Sequence, residues 1–176
     1  MRTLLYCLLF VLASAPFAPT SEDLRKLYGG PVTAIPLRVS DSDSEKFSLA
    51  PNIELTAQYG PDQQACTITL EPKRLPSNKQ PVEYGEQLMS STRISEILEQ
   101  VAPADKRGKA LLGSGGVFCA GSNGIWNQNY ANVYILHDIR CMEGSNSVKR
   151  VRIWFKQATC AKPDWYPVSQ KSPQSP

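Results

Sequence analysis

The sequence has almost no histidine: His137 stands alone among 176 residues. That removes the arrangements in which several imidazoles hold a metal or work as a paired acid and base. No Cys-x-x-Cys pair occurs, so the usual thiolate spacing of zinc sites is missing too. Nucleophile elbow, Walker loop and dinucleotide-binding glycine fingerprint are all absent. Gly113-Ser114-Gly115-Gly116 contains a Ser-Gly-Gly like that near a serine protease nucleophile. No Asp precedes Ser114, however, and the sole histidine follows it. The segment reads as a glycine turn in a long loop that runs through Cys119 and Gly121-Ser122-Asn123-Gly124 to Trp126. Neither sign of charge dominates: 19 basic against 16 acidic side chains leave +3, or about +2 once Arg2 is removed. Bulk charge that small does not recruit nucleic acid or a membrane surface. No apolar run beyond Ala15 approaches the roughly 20 residues that span a bilayer, and no repeat at solenoid spacing is visible.

What is present begins at the N-terminus. Met1-Arg2 is a short positive region, Thr3 to Ala13 is an apolar stretch, and Ala13-Ser14-Ala15 supplies small residues for a signal peptidase. Residues 1–18 therefore read as a signal peptide cut somewhere near 13–19, where Pro16 and Pro19 complicate the choice of bond. The expectation is a soluble protein exported to the cell exterior or the periplasm.

Cysteine usage agrees with export. Cys7 leaves with the leader, and Cys66, Cys119, Cys141 and Cys160 remain, an even number in an oxidising compartment. Four cysteines allow three connectivities. The nested one, Cys119–Cys141 inside Cys66–Cys160, is preferred because it ties the expected hairpins together. The competing reading, zinc held by His137 and Cys141, lacks both further ligands and the right compartment. No cofactor is expected.

Residues 21–51 read as a short helix followed by a polar loop. Ser21 stands as cap of the helix, acids open it, Gly29 closes it, and Leu24, Leu27 and Tyr28 form its apolar face. Ser40 to Lys46 is polar throughout and is taken as an exposed loop. It lacks the glycine and distal glutamate of a calcium loop. The core domain is placed at 52–162. Ile53, Leu55, Ala57 and Tyr59 alternate with polar positions, as do Cys66, Ile68 and Leu70, across a turn at Gly60-Pro61. That pattern is a β-hairpin. Ser90 caps a helix in which Ile94, Ile97, Leu98 and Val101 make one stripe, with Met89 and Ile94 as a hydrophobic staple and Pro103 as the stop. Asn132–Arg140 and Val148–Lys156 are two more strands. Pro163, Pro167, Pro173 and Pro176 mark residues 163–176 as a mobile tail, within which Trp165 and Tyr166 have a place to dock near the disulfide. The fold class is α+β: an antiparallel sheet of four or five strands with one packed helix.

The residues most open to a binding role lie on the last strand. Arg150, Arg152, Trp154 and Lys156 alternate with Val151, Ile153 and Phe155, so all four project from one face. Guanidinium groups beside an indole suit anionic or carbohydrate ligands, while single-stranded nucleic acid is disfavoured by the mild net charge. Lys106, Arg107 and Lys109 extend the patch if the fold brings them near. Long charged side chains also populate any solvated strand face. His137-Asp138 is the one pair available for acid–base work, but neighbours on a strand point to opposite faces. Trp126 and Tyr130 either form a contact platform or cover the core.

Leu24, Tyr28-Gly29, Pro31, Tyr59-Gly60 before Cys66, and Pro103 before Arg107-Gly108-Lys109 resemble elements of a group of small secreted bacterial proteins without a characterised activity. The resemblance spans most of the chain beyond the leader. It implies export and one compact domain, and it transfers no catalytic or ligand residue. The functional expectation is a small exported, non-enzymatic binding or interaction module. A structural or inhibitory extracellular protein and a hydrolase using His137 or Asp138 are the alternatives.

Overall fold

Alternation of apolar and polar side chains builds much of the described chain into one antiparallel sheet. The computed structural model describes residues 17–36, 43–49, 52–73, 88–141, 147–157 and 159–166. Most of the expected leader, residues 1–16, and the end of the tail, 167–176, lie outside the described residues. The strands are β1 Thr33–Pro36, β2 Asp43–Leu49, β3 Ile53–Tyr59, β4 Ala65–Pro72, β5 Met89–Ser90, β6 Val117–Ala120, β7 Asn123–Asn129, β8 Val133–Arg140 and β9 Ser147–Phe155. Eight of them run in the order β1-β2-β3-β4-β9-β8-β7-β6, and short β5 adds to β9. The two helices are α1 Ser21–Tyr28 and α2 Ser91–Val101.

The expectation of four or five strands was too low, because polar and glycine-rich segments also joined the sheet. Asp43 to Lys46, read as loop, is the first half of β2 and pairs with β3 from Ser44↔Gln58 to Leu49↔Ile53. Phe47 and Leu49 alternate inward from it and enter the core. Residues 40–42 lie outside the described ones. The segment around Trp126, also read as loop, forms the β6–β7 hairpin. Its only signal in the sequence is the two-residue turn Gly121-Ser122 between short β-capable runs.

Both helices pack on one face of the sheet. Thr20, not Ser21, caps α1. Its hydroxyl accepts from Asp23 N at 3.2 Å while the Asp23 carboxylate accepts from Thr20 N at 3.0 Å, a reciprocal capping box. That backbone hydrogen bond holds the Asp23 carboxyl below its ordinary pKa. Leu24 is buried and Tyr28 tilts against Phe47, but Leu27, expected on the same face, is exposed. A buried acid fastens α1 to the sheet. Glu45 of β2 accepts from Ser21 Oγ at 2.9 Å and from Tyr59 OH at 2.8 Å, and it pairs with Arg25. Burial works to raise its pKa, yet the bonds from Arg25, Tyr59 and Ser21 outweigh it and leave the carboxyl below its usual range. A charge counted as solvated is therefore an internal clamp.

Helix α2 follows its apolar stripe. Ile94, Ile97, Leu98 and Val101 are buried with Met89, and they meet the inward faces of β3, β4, β8 and β9 in one core. Ser90 occupies the cap position without a side-chain hydrogen bond. The helix end is closed instead by buried Arg107, whose Nε donates to Ala102 O at 2.8 Å and whose guanidinium pairs with Glu99. Among the described residues no helix is long and apolar enough to cross a membrane.

The nested disulfide pairing holds. Cys66–Cys160 joins the start of β4 to the chain beyond β9, and Cys119–Cys141 joins β6 to the end of β8. The second bond crosses over β7 at Gly124. A Cβ there would lie 2.2 Å from Cys141 Sγ and 2.9 Å from Phe118 O, so only glycine admits the bridge.

Candidate functional site

The register of β9 sets the outer face of the sheet. Thr67 and Thr69 of β4 lie opposite Trp154 and Arg152, and on the other side Tyr134, Leu136 and Asp138 of β8 lie opposite Trp154, Arg152 and Arg150. Arg150, Arg152 and Trp154 thus share one face with partners from the neighbouring strands, and Lys156 follows just beyond the end of β9, its Nζ 5.9 Å from the Tyr166 ring centre. The helices cover the other face.

The chain beyond β9 then turns back over this outer face. Cys160 is bonded to Cys66, and the residues that follow lie across Trp154. Tyr166 packs edge-on against Trp154 at 4.8 Å and against Tyr134 at 4.7 Å between ring centroids. Trp165 lies by Tyr134 and carries the Arg152 guanidinium 5.2 Å from its ring centre. Part of the segment expected as a mobile tail, residues 163–166, is therefore docked. The apolar surface of Trp154, Tyr134 and Leu136 explains why: leaving it bare is unfavourable, and the disulfide supplies the covering segment at short range.

Docking changes what the four residues offer. Trp154 is 9% exposed and so is a floor rather than an open platform. Arg152 Nη2 lies 2.9 and 3.1 Å from the two Asp138 oxygens, and Arg150 Nε lies 2.5 Å from Glu71 Oε1. Lys156 Nζ donates to Asn129 Oδ1 and to Tyr130 O, each at 2.6 Å, and burial holds its pKa below the ordinary lysine value. Each cation thus has an anion or oxygen partner inside the protein.

Between the sheet and the returning segment runs an open groove of about 830 Å³. Gln58, Thr67, Thr69 and the Glu71–Arg150 pair form one side, and the chain from Thr159 to Trp165 forms the other. The Thr67 hydroxyl donates to Gln58 Oε1 at 2.7 Å, and Thr159 Oγ1 donates to Asp62 at 3.0 Å, so loop and segment are joined at the groove end. Arg152 Nε, buried beside the groove, has no hydrogen-bond partner among the described residues.

No protein-family model and no curated protein matches this chain. Two solved structures are similar to it. One, a DUF4309 family protein from Bacillus subtilis, has TM-score 0.37 and 10% identity over 78% of each chain. The other is a cysteine-rich secretory protein from Staphylococcus aureus, with TM-score 0.40 and 10% identity over 88% of this chain and 54% of that one. Similarity at this level transfers no activity.

The remaining candidates separate. Asp138 faces outward to Arg152, whereas His137 faces the core and stacks on Trp126 at 4.4 Å between ring centres. The pair shares no site. His137 is 2% exposed, neither ring nitrogen has a partner among the described residues, and burial, with Arg107 adding to it, pushes its pKa down to about 4. Cys141 is consumed by its disulfide, so a His137–Cys141 metal pair is unavailable. Arg107 sits at the end of α2 on the helix-covered side and does not extend the β9 patch. Trp126 covers His137, and Tyr130 packs on the core. Ser114 Oγ accepts from Asn129 N at 3.0 Å, the bond of a folded turn. Sequence reasoning missed Thr67, Thr69 and Glu71 because they belong to the first hairpin. The alternation of β4 nevertheless marked them as outward.

Proposed function

We propose that this chain is an exported, non-enzymatic binding module whose groove takes a neutral, hydroxyl-rich ligand such as a carbohydrate. The observation that carries this reading is the neutralised groove: Arg150 and Arg152 are matched by Glu71 and Asp138, the exposed Lys162 and Asp164 on the returning segment balance in sign, and hydroxyl and amide groups and the half-buried Trp165 indole complete the lining. Fixed ion pairs present donors and acceptors in set directions, and an aromatic wall supplies apolar contact, as in sites that bind small polar molecules. A bare guanidinium cluster would have favoured anions. Paired guanidiniums attract them far less, since binding would first have to break or outweigh an internal pair.

The test is a tryptophan-fluorescence titration with soluble neutral oligosaccharides, run beside a sulfated polysaccharide. Saturable quenching by a neutral sugar, insensitive to salt and about tenfold weaker in Trp165→Ala, is the expected result. Salt-sensitive binding of the polyanion alone would replace this reading with an anion site. No response to any sugar would end it.

Export is part of the proposal, and the two disulfides fit an oxidising compartment. Phe17 meets Phe155 edge-on at 5.6 Å, Ala18 is buried, and Pro19 O accepts from Ala65 N at 2.9 Å. Cleavage after Ala18 would discard two of these contacts. The intact mass of the exported protein is therefore expected to show an N-terminus at or before Phe17. A mass that begins at Pro19 would contradict this.

A further inference from the structure

The two outer edges of the sheet are not alike. The edge at β1 is short and ends in Pro36, a residue that cannot donate to a ladder. The edge at β6 is equally short but has no proline. Val117 is 62% and Phe118 67% exposed, and Leu112 in the preceding turn is 100% exposed. From Ala110 to His137 the sequence contains no Asp, Glu, Lys or Arg. Soluble proteins ordinarily guard a free strand edge with charge, proline or a bulge; β6 carries neither charge nor proline.

We propose that the outer edge of β6 is a self-association surface, on which a second copy of this chain pairs antiparallel about a two-fold axis at Phe118. The backbone is aimed for it. Asn127 exchanges bonds with the turn before β6, donating to Gly116 O at 3.3 Å and accepting from Gly115 N at 2.7 Å. Antiparallel alternation then turns the groups of Phe118 toward Ile125 of β7, and those of Val117 and Cys119 away from the sheet. With the axis at Phe118, Val117 of each copy lies opposite Cys119 of the other. Those two pairs are the hydrogen-bonded ones, and Phe118 meets its own counterpart in the closely spaced pair between them.

Charge selects a second copy as the occupant. A two-fold axis sets like against like, so a lysine or glutamate on this edge would meet itself. A charge-free edge carries no such penalty, whereas an edge built for a different partner would be expected to carry complementary charge. The strand is also already formed, held by Cys119–Cys141 across Gly124, so pairing orders little new chain. Four residues bury only a few hundred Å² per copy, below the roughly 800 Å² per partner of a stable interface. The dimer is thus weak, with a dissociation constant on the order of 100 µM.

Sedimentation velocity of the oxidised full-length exported protein, from about 10 µM to about 1 mM, tests this. The weight-average mass is expected to rise toward twice the monomer value. Phe118→Lys and Phe118→Glu should each stay monomeric with wild-type melting temperature, and their equimolar mixture should dimerise again. Self-association of Phe118→Lys equal to wild type overturns the proposal. So does a wild-type protein that stays monomeric throughout, and one that instead co-sediments with phosphatidylcholine vesicles would assign the patch to lipid.

Discussion

Replacing Cys66 and Cys160 together by alanine is expected to lower stability by about 4 kcal/mol, the larger of the two disulfide effects. The bond closes a loop of 94 residues, against 22 for Cys119–Cys141, and the entropy it withholds from the unfolded chain grows with loop length. The folded state loses as well, because the segment from Thr159 to Tyr166 is then held mainly by Trp165 and Tyr166. Guanidinium unfolding measures the difference. A red shift in tryptophan emission under native conditions would report Trp154 and Trp165 becoming wetter. Loss of the second bridge, in Cys119→Ala/Cys141→Ala, is expected to cost about 3 kcal/mol and to leave the emission of Trp154 unchanged. Equal losses from the two double variants would mean that loop entropy does not set the scale. A loss below about 1 kcal/mol for the longer loop would mean that loop entropy contributes little at this bridge, whether or not the returning segment stays docked.

Acid should destabilise the fold well above the range where carboxylates titrate. His137 is neutral when buried, with its pKa pushed down from 6.5 to about 4. A depressed histidine pKa means that the unfolded chain binds the proton more readily. The contribution is therefore complete above pH 6.5 and is lost as pH falls from there through about 4. Its size is about 3 kcal/mol, from roughly 1.4 kcal/mol per pKa unit. Arg107 is the charged group that opposes protonation alongside burial, while Trp126 presents only its ring. In His137→Phe the stack on Trp126 survives and the buried ring nitrogens, without partners among the described residues, disappear. That variant should match or exceed wild-type stability at pH 7 and lose about 3 kcal/mol less between pH 7 and pH 4, read by urea unfolding at each pH. Parallel pH profiles for the two proteins would remove His137 as the cause. The carboxyls of Asp23 and Glu45 are held below their ordinary range, so their contributions disappear at lower pH than that of His137.

The sequence by itself determined whatever depends on short-range periodicity. Helix α2 follows from four apolar residues at i, i+3, i+4 and i+7, and the β3–β4 and β8–β9 pairs follow from alternation around turns. The same alternation put Arg150, Arg152, Trp154 and Lys156 on one face, and the even cysteine count together with the hairpins led to the nested bridges. Tertiary structure alone decided what those residues meet. Glu71 and Asp138 reach Arg150 and Arg152 across neighbouring strands, and Tyr166 covers Trp154 because a disulfide to Cys66 turns the chain back. Glu45 is buried because Ser21, Arg25 and Tyr59 converge on it from two other elements. Strands β2, β6 and β7 formed from polar or glycine-rich segments because a neighbouring strand offered hydrogen bonds, which local composition does not encode. Side-chain direction along an element is a local property of the backbone. The partner of a charge, the cover of an indole and the recruitment of a polar strand are set by residues far away in the chain, and only folding brings them within reach.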